Sequence, residues 1–411
     1  MAIQRIINLP IGEMKPLMDR RGKEKTLRNE LNTPAFLTEE KTLQGDLTRL
    51  RKIADTASCK LLYSPKASAI SKVLEVIAKQ VDGFACSSPF ELRLLGDLSG
   101  GRQTLHLVSP LIKSESLSIL GDRLNYLTVN SLSQWRRLRN TISRQTHVGL
   151  RINPQLSFVR DARYDPCRRQ SKLGMPLSQL AEAFAADPDV LVGMDGLHFH
   201  NNCESLDFTD LVTTVRQIAN FIPELLDRLQ WINLGGGYLF ESGQGYDAFY
   251  EAVRLLRETF GLTVFIEPGA AIVRRSGTIE ATVHDIFRSD DAQIAILDTT
   301  VNHMPEVFEF QFEPDVLGHI DGGLHTYTLA GCTCLAGDVF GEYSFDTPLT
   351  IGSRIKFLNM GAYTMAKAHR FNGVALPTQY WRRIDGAVDE VDADKFEIFT
   401  QFTGSNRIET V

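Results

Sequence analysis

The chain has 411 residues and a formal net charge of −6, with 43% hydrophobic and 23% charged residues. This length and composition predict a globular protein of two domains with substantial cores. No apolar stretch reaches the roughly 18 residues that cross a bilayer, and the negative charge argues weakly against nucleic acid as a partner. We therefore expect neither a membrane nor a nucleic-acid partner.

Two features of the chain bear on its cellular compartment. Residues 1–20 mix charged and apolar side chains and lack the apolar core of a signal peptide. The six cysteines are Cys59, Cys86, Cys167, Cys203, Cys332 and Cys334. They contain no C-x-x-C pair, which argues against a disulfide framework and suits a reducing environment. We predict a cytoplasmic protein.

The N-terminal 32 residues differ from the rest of the chain. They show no steady periodicity, and the charges at residues 19–25 are typical of a solvated segment, so we predict an N-terminal extension over residues 1–32. From residue 33 onwards, apolar runs alternate with helical patterns. The predicted strands are 60–63, 83–86, 104–108, 124–129, 148–152, 194–199, 231–234 and 263–266. The predicted helices are 69–79, 90–96, 131–141, 177–185, 208–221 and 246–260.

This alternation predicts the fold class of the first domain. Strands that alternate with helices favour a parallel sheet with crossover helices, which is an α/β architecture. Eight strands over roughly 230 residues match a (β/α)8 TIM barrel in number and size. We therefore predict such a barrel over residues 33–272.

After Gly269 the pattern changes to short strands separated by turn residues. The predicted strands are 273–287, 293–298, 326–330, 353–357 and 395–402. We predict a C-terminal, mainly β domain over residues 273–411. The early strand at residues 35–37 can join this domain, in which case the barrel would be an insertion between two β pieces.

Four features of functional interest fall at the C-terminal ends of predicted barrel strands. Lys66 follows the first strand, His200 ends the sixth, the run Gly235–Gly237 follows the seventh, and Glu267 ends the eighth. The active sites of TIM barrels lie at this end. A strand-end lysine can reach into a cleft, where partial burial lowers its pKa towards nucleophilic reactivity. We therefore predict one site at the barrel mouth, although Lys66 alone could be an ordinary salt-bridge partner.

The same residues suit a pyridoxal 5′-phosphate (PLP) site. Gly235, Gly236 and Gly237 lack side chains, so their N–H groups can approach a phosphate, or they could simply form a tight turn. Glu267 beside a pyridine nitrogen would keep that nitrogen protonated and strengthen the ring as an electron sink. It could also pair with an arginine. His200 could stack on the ring.

The histidines near residue 200 leave a metal site as an alternative. His198 and His200 alternate on a strand and so face one side, and Cys203 and Glu204 follow them. H-x-H plus one cysteine is a weak zinc signal without a firmer fourth ligand, so we predict no metal. A zinc hydrolase that uses His198, His200 and Glu267 is the competing hypothesis.

Two stretches of the second domain could complete the site. Cys334 and Asp338 share a glycine-bounded loop, where an exposed thiol could donate a proton, although a free cysteine is usually a buried hydrophobe. Tyr363 could offer its hydroxyl to a phosphate oxygen, unless it is a core tyrosine.

Several strings of residues carry a resemblance to a known family. They are YDPC at 164–167, GLHFH at 196–200 with CE at 203–204, NHMPE at 302–306, TCLAGD at 333–338 with GEYSF at 341–345, and YTM at 363–365 with FNG at 371–373. From about residue 33 to the C-terminus, the chain resembles the alanine racemase-like (fold type III) PLP decarboxylases, which include ornithine decarboxylases. Within that group it is most similar to the carboxynorspermidine/carboxyspermidine decarboxylases.

The resemblance implies roles in cofactor binding. Lys66 would bind the cofactor aldehyde covalently, His200 would stack on the ring, and Glu267 would contact the pyridine nitrogen. The glycines Gly235, Gly236 and Gly237 would hold the phosphate with the help of Tyr363.

The resemblance also implies roles in catalysis and substrate binding. Cys334 would protonate the carbanion after carbon dioxide leaves, and Asp338, Glu204 and Asn201 would lie at the substrate. Members of the family are homodimers in which the partner subunit supplies the cysteine loop. We therefore expect a homodimer with shared active sites and His200, Lys66 and Cys334 as its catalytic residues.

The expected function is PLP-dependent decarboxylation of carboxynorspermidine or carboxyspermidine to norspermidine or spermidine in polyamine biosynthesis. The alternatives are a decarboxylase of diaminopimelate or another diamino acid, and a catalytically silent regulatory homologue. Leu335 follows Cys334 where ornithine-type enzymes carry an acidic residue, which argues against ornithine. Ala270 replaces an arginine of those enzymes, so backbone dipoles would have to neutralise the phosphate. Asn201-Asn202 departs from the carboxynorspermidine subgroup and leaves the substrate open.

Overall fold

The structure is a computed structural model that describes residues 31–243 and 245–404. The charged run at residues 19–25 and nearly all of the predicted N-terminal extension lie outside the described residues. Within the described ranges, no helix is both long and apolar enough to span a bilayer.

The strands and helices follow in chain order. The strands are β1 (Ala35–Glu39), β2 (Lys60–Tyr63), β3 (Gly83–Cys86), β4 (Thr104–Val108), β5 (Tyr126–Val129), β6 (His147–Asn153), β7 (Met175–Pro176), β8 (Gly196–His198), β9 (Trp231–Asn233), β10 (Thr263–Ile266), β11 (Gly277–Ser289), β12 (Ala292–Leu297), β13 (His325–Ala330), β14 (Val339–Phe345), β15 (Arg354–Phe357), β16 (Thr378–Arg382) and β17 (Val388–Asp392). The helices are α1 (Glu40–Ala57), α2 (Ser71–Ile77), α3 (Pro89–Ser99), α4 (Ser114–Leu120), α5 (Leu132–Leu138), α6 (Leu177–Ala186), α7 (Thr209–Phe221), α8 (Pro223–Leu226), α9 (Asp247–Phe260), α10 (Ala270–Val273), α11 (Pro305–Phe310) and α12 (Phe396–Phe402).

Eight parallel strands close into a barrel, as the alternation of strands and helices predicts. Their neighbours run in the order β5-β4-β3-β2-β10-β9-β8-β6, and β5 pairs with β6 to complete the circle. The strands β2, β3, β4 and β10 begin and end where the sequence predicts them. Because all strands are parallel, their C-terminal ends meet at one mouth of the barrel.

Aromatic side chains fill the lower part of the barrel interior. The His106 ring stacks on Tyr126 with 4.2 Å between ring centroids, and Phe265 meets both rings edge-on. Trp231 fits beside them because β6 and β8 carry glycines there. A Cβ atom at Gly149 or Gly196 would lie 2.4 or 2.0 Å from the Trp231 ring. Large and small residues thus interlock across the barrel.

The second sheet has the strand order β14-β13-β12-β11-β1-β16-β17, with β15 paired to β11. The early strand β1 lies antiparallel to β11 and parallel to β16, so the chain passes through this sheet before it builds the barrel. The core of this sheet includes Phe36 of β1 together with Phe340 and Phe357. The combination of a closed parallel barrel and a mainly β domain confirms the predicted fold class.

The structure corrects two predicted strands. Residues 395–402 were expected to form a strand, but Phe396–Phe402 is the helix α12. The strand expected from residue 273 begins only at Gly277, because residues before it form α10 and a 3-10 turn, Arg274–Ser276. In both places the apolar run is too short to distinguish a period of two from a period of 3.6 residues. The strands β14, β16 and β17 were not predicted.

Candidate active site

Two adjoining cavities open at the C-terminal mouth of the barrel. The larger has a volume of about 330 Å³, and the smaller, a recess of about 70 Å³, shares five lining residues with it. The shared residues are Ser64, Lys66, His200, Cys203 and Glu267. Three of the four features predicted at strand ends therefore line both cavities, and the fourth, the glycine run, lines the recess through Gly236 and Gly237.

Lys66 is held at the end of β2 by the loop that follows this strand. The Tyr63 hydroxyl donates to the Ser68 carbonyl at 2.8 Å, and the Ser64 N–H donates to the Pro268 carbonyl at 3.3 Å. The Lys66 side chain is accessible from the cavity, but protein atoms surround it. Burial therefore lowers the pKa of its amine, although the nearby Glu267 carboxylate acts in the opposite direction. A lowered pKa increases the fraction of neutral, nucleophilic amine.

Glu267 follows β10 and is buried opposite this amine. Its Oε1 accepts a hydrogen bond from Asn233 Nδ2 at 2.7 Å, and its Oε2 lies 3.5 Å from His198 Nε2. Burial alone would raise the pKa of the carboxyl, but His198 and Lys66 outweigh burial and hold the pKa at about 2. Glu267 is therefore an ionised carboxylate that can accept a hydrogen bond from a cationic ring nitrogen.

His200 lies beyond the end of β8 and lines both cavities. Its Nδ1 accepts a hydrogen bond from the Gly236 N–H at 3.0 Å, so a neutral His200 carries its proton on Nε2. Burial, followed by the charges of Lys66 and Arg151, lowers the pKa of His200 well below its ordinary value. A neutral, flat imidazole at this position can stack on an aromatic ring in the cavity.

The glycine run is required by close backbone contacts. A Cβ atom would lie 2.5 Å from the Phe199 carbonyl at Gly235, 2.4 Å from the Glu267 carbonyl at Gly236, and 2.1 Å from the Asn202 carbonyl at Gly237. Gly235 and Gly237 also have φ values of 69° and 90°, which favour glycine. A residue larger than glycine at any of the three positions would displace these backbone segments.

Tyr363 closes the recess from the second domain. Its N–H donates to the Ala67 carbonyl at 2.8 Å, which ties it to the loop that carries Lys66. Burial raises the pKa of the Tyr363 hydroxyl, which therefore remains a hydrogen-bond donor at neutral pH. The position suits the predicted contact with a phosphate oxygen.

Acidic side chains lie at the edge of the recess. Glu204 lines it, and Glu306 of α11 is close enough to be affected by the Glu204 charge. Burial raises the pKa of Glu306 overall, although Lys367 acts against this shift through an ion pair of 3.1 Å. The Glu204 carboxylate at the edge of the recess is suited to groups that carry positive charge.

Asn201 does not reach either cavity. It is completely buried, its Nδ2 donates to Thr214 Oγ1 at 2.6 Å, and its Oδ1 accepts from the Tyr238 hydroxyl at 3.3 Å. These contacts hold the loop after β8 against α7. Asn201 therefore supports the loop behind the site. Its buried amide lines neither cavity, so the geometry does not favour the predicted contact with the substrate.

Cys334 and Asp338 lie on the loop between β13 and β14, away from the cavities of the same chain. Cys334 is exposed, and both its N–H and its Sγ approach Asn372 Oδ1, at 3.1 and 3.2 Å. Asp338 is buried, and its carboxylate accepts hydrogen bonds from the Val301 N–H at 2.8 Å and the Thr333 N–H at 3.0 Å. Asp338 thus shapes the cysteine loop, and this burial does not favour its predicted contact with substrate amines.

Three residues at or beside the site were not singled out from the sequence. Arg151 lines the larger cavity, and its Nε has no hydrogen-bond partner within the described residues. Asn233 contacts Glu267, and Glu306 adds charge at the rim. For Arg151, the sequence signal was a charged arginine within the otherwise apolar run at residues 148–152 of β6. The sequence offered no such signal for the other two. These two depend on contacts between segments that are far apart in the chain.

One imidazole nitrogen of each histidine already faces a specific group. His198 Nε2 faces Glu267, and His200 Nδ1 accepts from Gly236. In the part of the chain that the structure describes, no three His, Cys, Asp or Glu side chains are arranged to hold a metal ion. The contacts of the two imidazoles match the PLP hypothesis more closely than the zinc hypothesis.

Comparisons with known proteins agree with this geometry. Residues 43–274 match the family model of the pyridoxal-dependent decarboxylases, pyridoxal binding domain. Carboxyaminopropylagmatine decarboxylase from Synechocystis is 34% identical over 357 residues, which cover 85% of this chain and 89% of that protein. Carboxynorspermidine/carboxyspermidine decarboxylase from Herminiimonas arsenicoxydans is 32% identical over 372 residues, covering 89% and 98% of the two chains.

A solved structure extends the likeness to nearly the whole fold. The crystal structure of carboxynorspermidine decarboxylase from Campylobacter jejuni in complex with norspermidine has a TM-score of 0.81 and 26% sequence identity, and the match covers 90% of this chain and 100% of that chain. Together with the family model and the two relatives, this match shows that the chain belongs to the pyridoxal-dependent decarboxylases.

Proposed function

We propose that the protein binds PLP and decarboxylates carboxynorspermidine or carboxyspermidine, giving norspermidine or spermidine in polyamine biosynthesis. The observation that carries the proposal is the convergence of the Lys66 amine and the Glu267 carboxylate in one cavity. The relative from Herminiimonas arsenicoxydans and the structure from Campylobacter jejuni, by their names, act on these substrates.

The residues present fit PLP at each of its functional groups. The Lys66 amine would hold the aldehyde, and the Glu267 carboxylate would hold the pyridine nitrogen. The recess lined by Gly236, Gly237 and Tyr363 would take the phosphate, and the close backbone contacts of the two glycines keep its shape. His198 lines the larger cavity, and its Nδ1 has no hydrogen-bond partner among the described residues, which suits a polar site that a ligand completes.

When bound, PLP supplies an electron sink for the negative charge that remains on the substrate when carbon dioxide leaves. The protein positions this group and controls protons around it. Burial lowers the pKa of the Lys66 amine, which increases the fraction of its neutral, nucleophilic form. Glu267 remains ionised because its pKa is about 2, and so would hold a proton on the pyridine nitrogen. His200 would cover one face of the ring and exclude water from it.

Cys334 is the proposed proton donor, and it would act in the site of a partner subunit. It is exposed on its loop and lines neither cavity of its own chain. A homodimer in which each cysteine loop enters the other subunit's site would bring together all the predicted catalytic residues. In this arrangement Asp338 holds the loop in shape through Val301 and Thr333.

The acidic rim supports a polyamine in preference to diaminopimelate. Glu204, which lines the recess, would attract an ammonium group of a polyamine. The distal end of diaminopimelate carries a carboxylate as well as an ammonium group, and Glu204 would repel that carboxylate. A silent regulator has no need of a lysine with a lowered pKa opposite an ionised glutamate, so the retained pair favours an active enzyme.

A second candidate substrate is carboxyaminopropylagmatine, which the relative from Synechocystis uses according to its name. This compound ends in a guanidinium group, and a carboxylate such as that of Glu204 can bind a guanidinium through two hydrogen bonds. The reaction and the proposed catalytic residues would be the same, and only the contacts at the rim would differ.

Mass spectrometry of reaction products tests the proposal. The protein is incubated with PLP and, separately, with carboxynorspermidine, carboxyspermidine, carboxyaminopropylagmatine, diaminopimelate and ornithine. We expect norspermidine and spermidine from the first two, and no product from the matched Lys66→Ala variant. Lysine from diaminopimelate as the main product would contradict the proposed substrate class, and turnover of none of the panel by PLP-loaded protein would favour the silent regulator.

A further inference from the structure

We infer that Asn233 is a positioning residue that joins the two ends of the cofactor site, by holding the Glu267 carboxylate and the glycine run in one hydrogen-bonded unit. The inference rests on the proposed binding of PLP. It concerns a residue that does not line either cavity and acts only through its neighbours.

The Asn233 side chain lies at the C-terminal end of β9 and is 1% exposed. Its Nδ2 donates to Glu267 Oε1 at 2.7 Å, and its Oδ1 accepts from the Gly235 N–H at 2.9 Å. A third bond closes the unit, because the Glu267 N–H donates to the Gly235 carbonyl at 2.7 Å. The carboxylate at the ring end and the loop at the phosphate end are thus fixed relative to each other.

The chemistry of these contacts requires an amide at position 233. A carboxylate can only accept hydrogen bonds, and a backbone N–H can only donate one. An asparagine satisfies both neighbours at once, which also fixes the orientation of its amide. Aspartate would place an oxygen against Glu267 Oε1, and leucine of similar size would leave both neighbours unsatisfied.

This arrangement predicts a pH response that is specific to the charged substitution. In Asn233→Asp, the new carboxylate would face the Glu267 carboxylate at hydrogen-bond distance, which would raise the pKa of one of the two. At high pH both are ionised and repel. As the pH falls, the pair takes up one proton, the protonated carboxyl donates as the amide did, and the geometry returns.

The other charged and titratable groups around Glu267 are the same in every variant. They are Lys66 after β2, Cys86 of β3, His106 of β4, Arg151 of β6, His198 of β8 and His200 beyond it. A new carboxylate at position 233 would raise the pKa values of the lysine and histidines among them, so part of the proton uptake in Asn233→Asp would fall on these neighbours, and this uptake would lessen the repulsion in the same way. Asn233→Leu, which removes the same two hydrogen bonds without adding charge, is the matched control.

The test measures the dissociation constant of PLP for the apo-protein by equilibrium dialysis between pH 6 and pH 9. We expect both variants to bind PLP at least about tenfold more weakly than the wild type at pH 8.5, the effect of losing buried hydrogen bonds. Only Asn233→Asp should recover affinity, relative to the wild type, as the pH falls. The change of the dissociation constant with pH is measured within each protein and then compared between proteins, so a pH-independent loss of affinity cancels from the comparison.

Several outcomes distinguish the inference from the proposed function. If the wild-type protein does not bind PLP, the proposed function fails, whatever the variants do. If the wild type binds PLP and both variants bind within about twofold of it at every pH, the positioning role is wrong. Equal, pH-independent losses in the two variants would also overturn it, because they would indicate only general damage to the strand.

Discussion

At the scale of single residues, the site depends on two ionisable groups whose surroundings prepare them for different tasks. Burial lowers the pKa of the Lys66 amine, so the amine loses its proton more easily. His198 and Lys66 overcome the effect of burial on Glu267 and hold its pKa at about 2. The same cavity therefore contains an amine prepared to react with a carbonyl and a carboxylate prepared to hold a cationic ring nitrogen.

The glycine run provides a residue-scale prediction. In Gly236→Ala, the new Cβ would lie 2.4 Å from the Glu267 carbonyl, so the strand end that carries Glu267 must move. We expect the dissociation constant of PLP to rise about tenfold or more, with a loss of about 1–3 kcal/mol in the free energy of unfolding. Fluorescence titration with PLP and urea unfolding measure the two effects.

Gly45→Ala is the matched control for this substitution. Gly45 lies on α1 with nothing within 4 Å of a Cβ atom, so the variant should bind PLP normally and gain about 1 kcal/mol of stability from helix propensity. Normal PLP binding by Gly236→Ala would show that the recess does not hold the phosphate.

The sequence could indicate the site residues that directly follow barrel strands. Lys66, His200 and Glu267 could be found in this way, because the fold rule places strand ends together. Asn233 and Glu306 act through contacts with residues far away in the chain, which no local pattern records. The sequence did not indicate that the Asn201 amide turns towards Thr214, because this contact depends on how α7 packs.

At the scale of elements, the barrel strands were predictable because each is a short, nearly continuous apolar run that is buried on both faces. The outer strands of the second sheet were not, since β17 reads VDEVD and is rich in residues that strands usually lack. The helix α12 was misassigned because Phe396, Phe399 and Phe402 are spaced by three residues, while Ile398 also fits an alternating pattern. Seven residues cannot decide between these periods.

The buried histidine of β4 gives a prediction for pH. Burial lowers the pKa of His106 from its ordinary value of 6.5 to about 3. Below pH 6.5 the unfolded chain takes up a proton at this residue and the folded chain does not, so the folded protein loses stability as the pH falls towards 3. In His106→Phe this contribution is absent, and stacking on Tyr126 is kept.

We expect the free energy of unfolding of His106→Phe to fall less steeply than that of the wild type between about pH 6 and pH 4, by up to about 1.4 kcal/mol per pH unit. Urea unfolding at several pH values measures the difference. The other buried histidines contribute equally to both proteins. Parallel pH profiles would show that His106 is not kept neutral by the barrel interior.

At the scale of the whole molecule, the chain returns to the sheet in which it began. Strand β1 lies between β11 and β16, so the barrel is inserted between two parts of the second sheet. The alternation in the sequence gave only a hint of this, because strand pairing across more than 240 residues leaves no local signal. The loop of Cys334 adds a further requirement, since one chain alone does not bring this thiol to its own cavities.

Mixing two inactive variants tests whether active sites are shared. Lys66→Ala and Cys334→Ala each remove one proposed catalytic residue. In a mixed dimer, one site would combine both substitutions and the other would be intact. After random subunit exchange, half of the dimers are mixed, so about one quarter of the wild-type activity should return. A Lys66→Ala/Cys334→Ala double variant mixed with either parent should remain inactive, and no recovery in the main mixture would contradict shared sites.

The most direct test of the account is to locate the lysine that carries the cofactor. The PLP-loaded protein is reduced with borohydride, digested, and mapped by mass spectrometry. We predict a single reduced pyridoxyl adduct on Lys66, absent from Lys66→Ala. An adduct on another lysine of the cavity, such as Lys172, or no adduct at all, would contradict the claim that the amine after β2 is the cofactor's anchor.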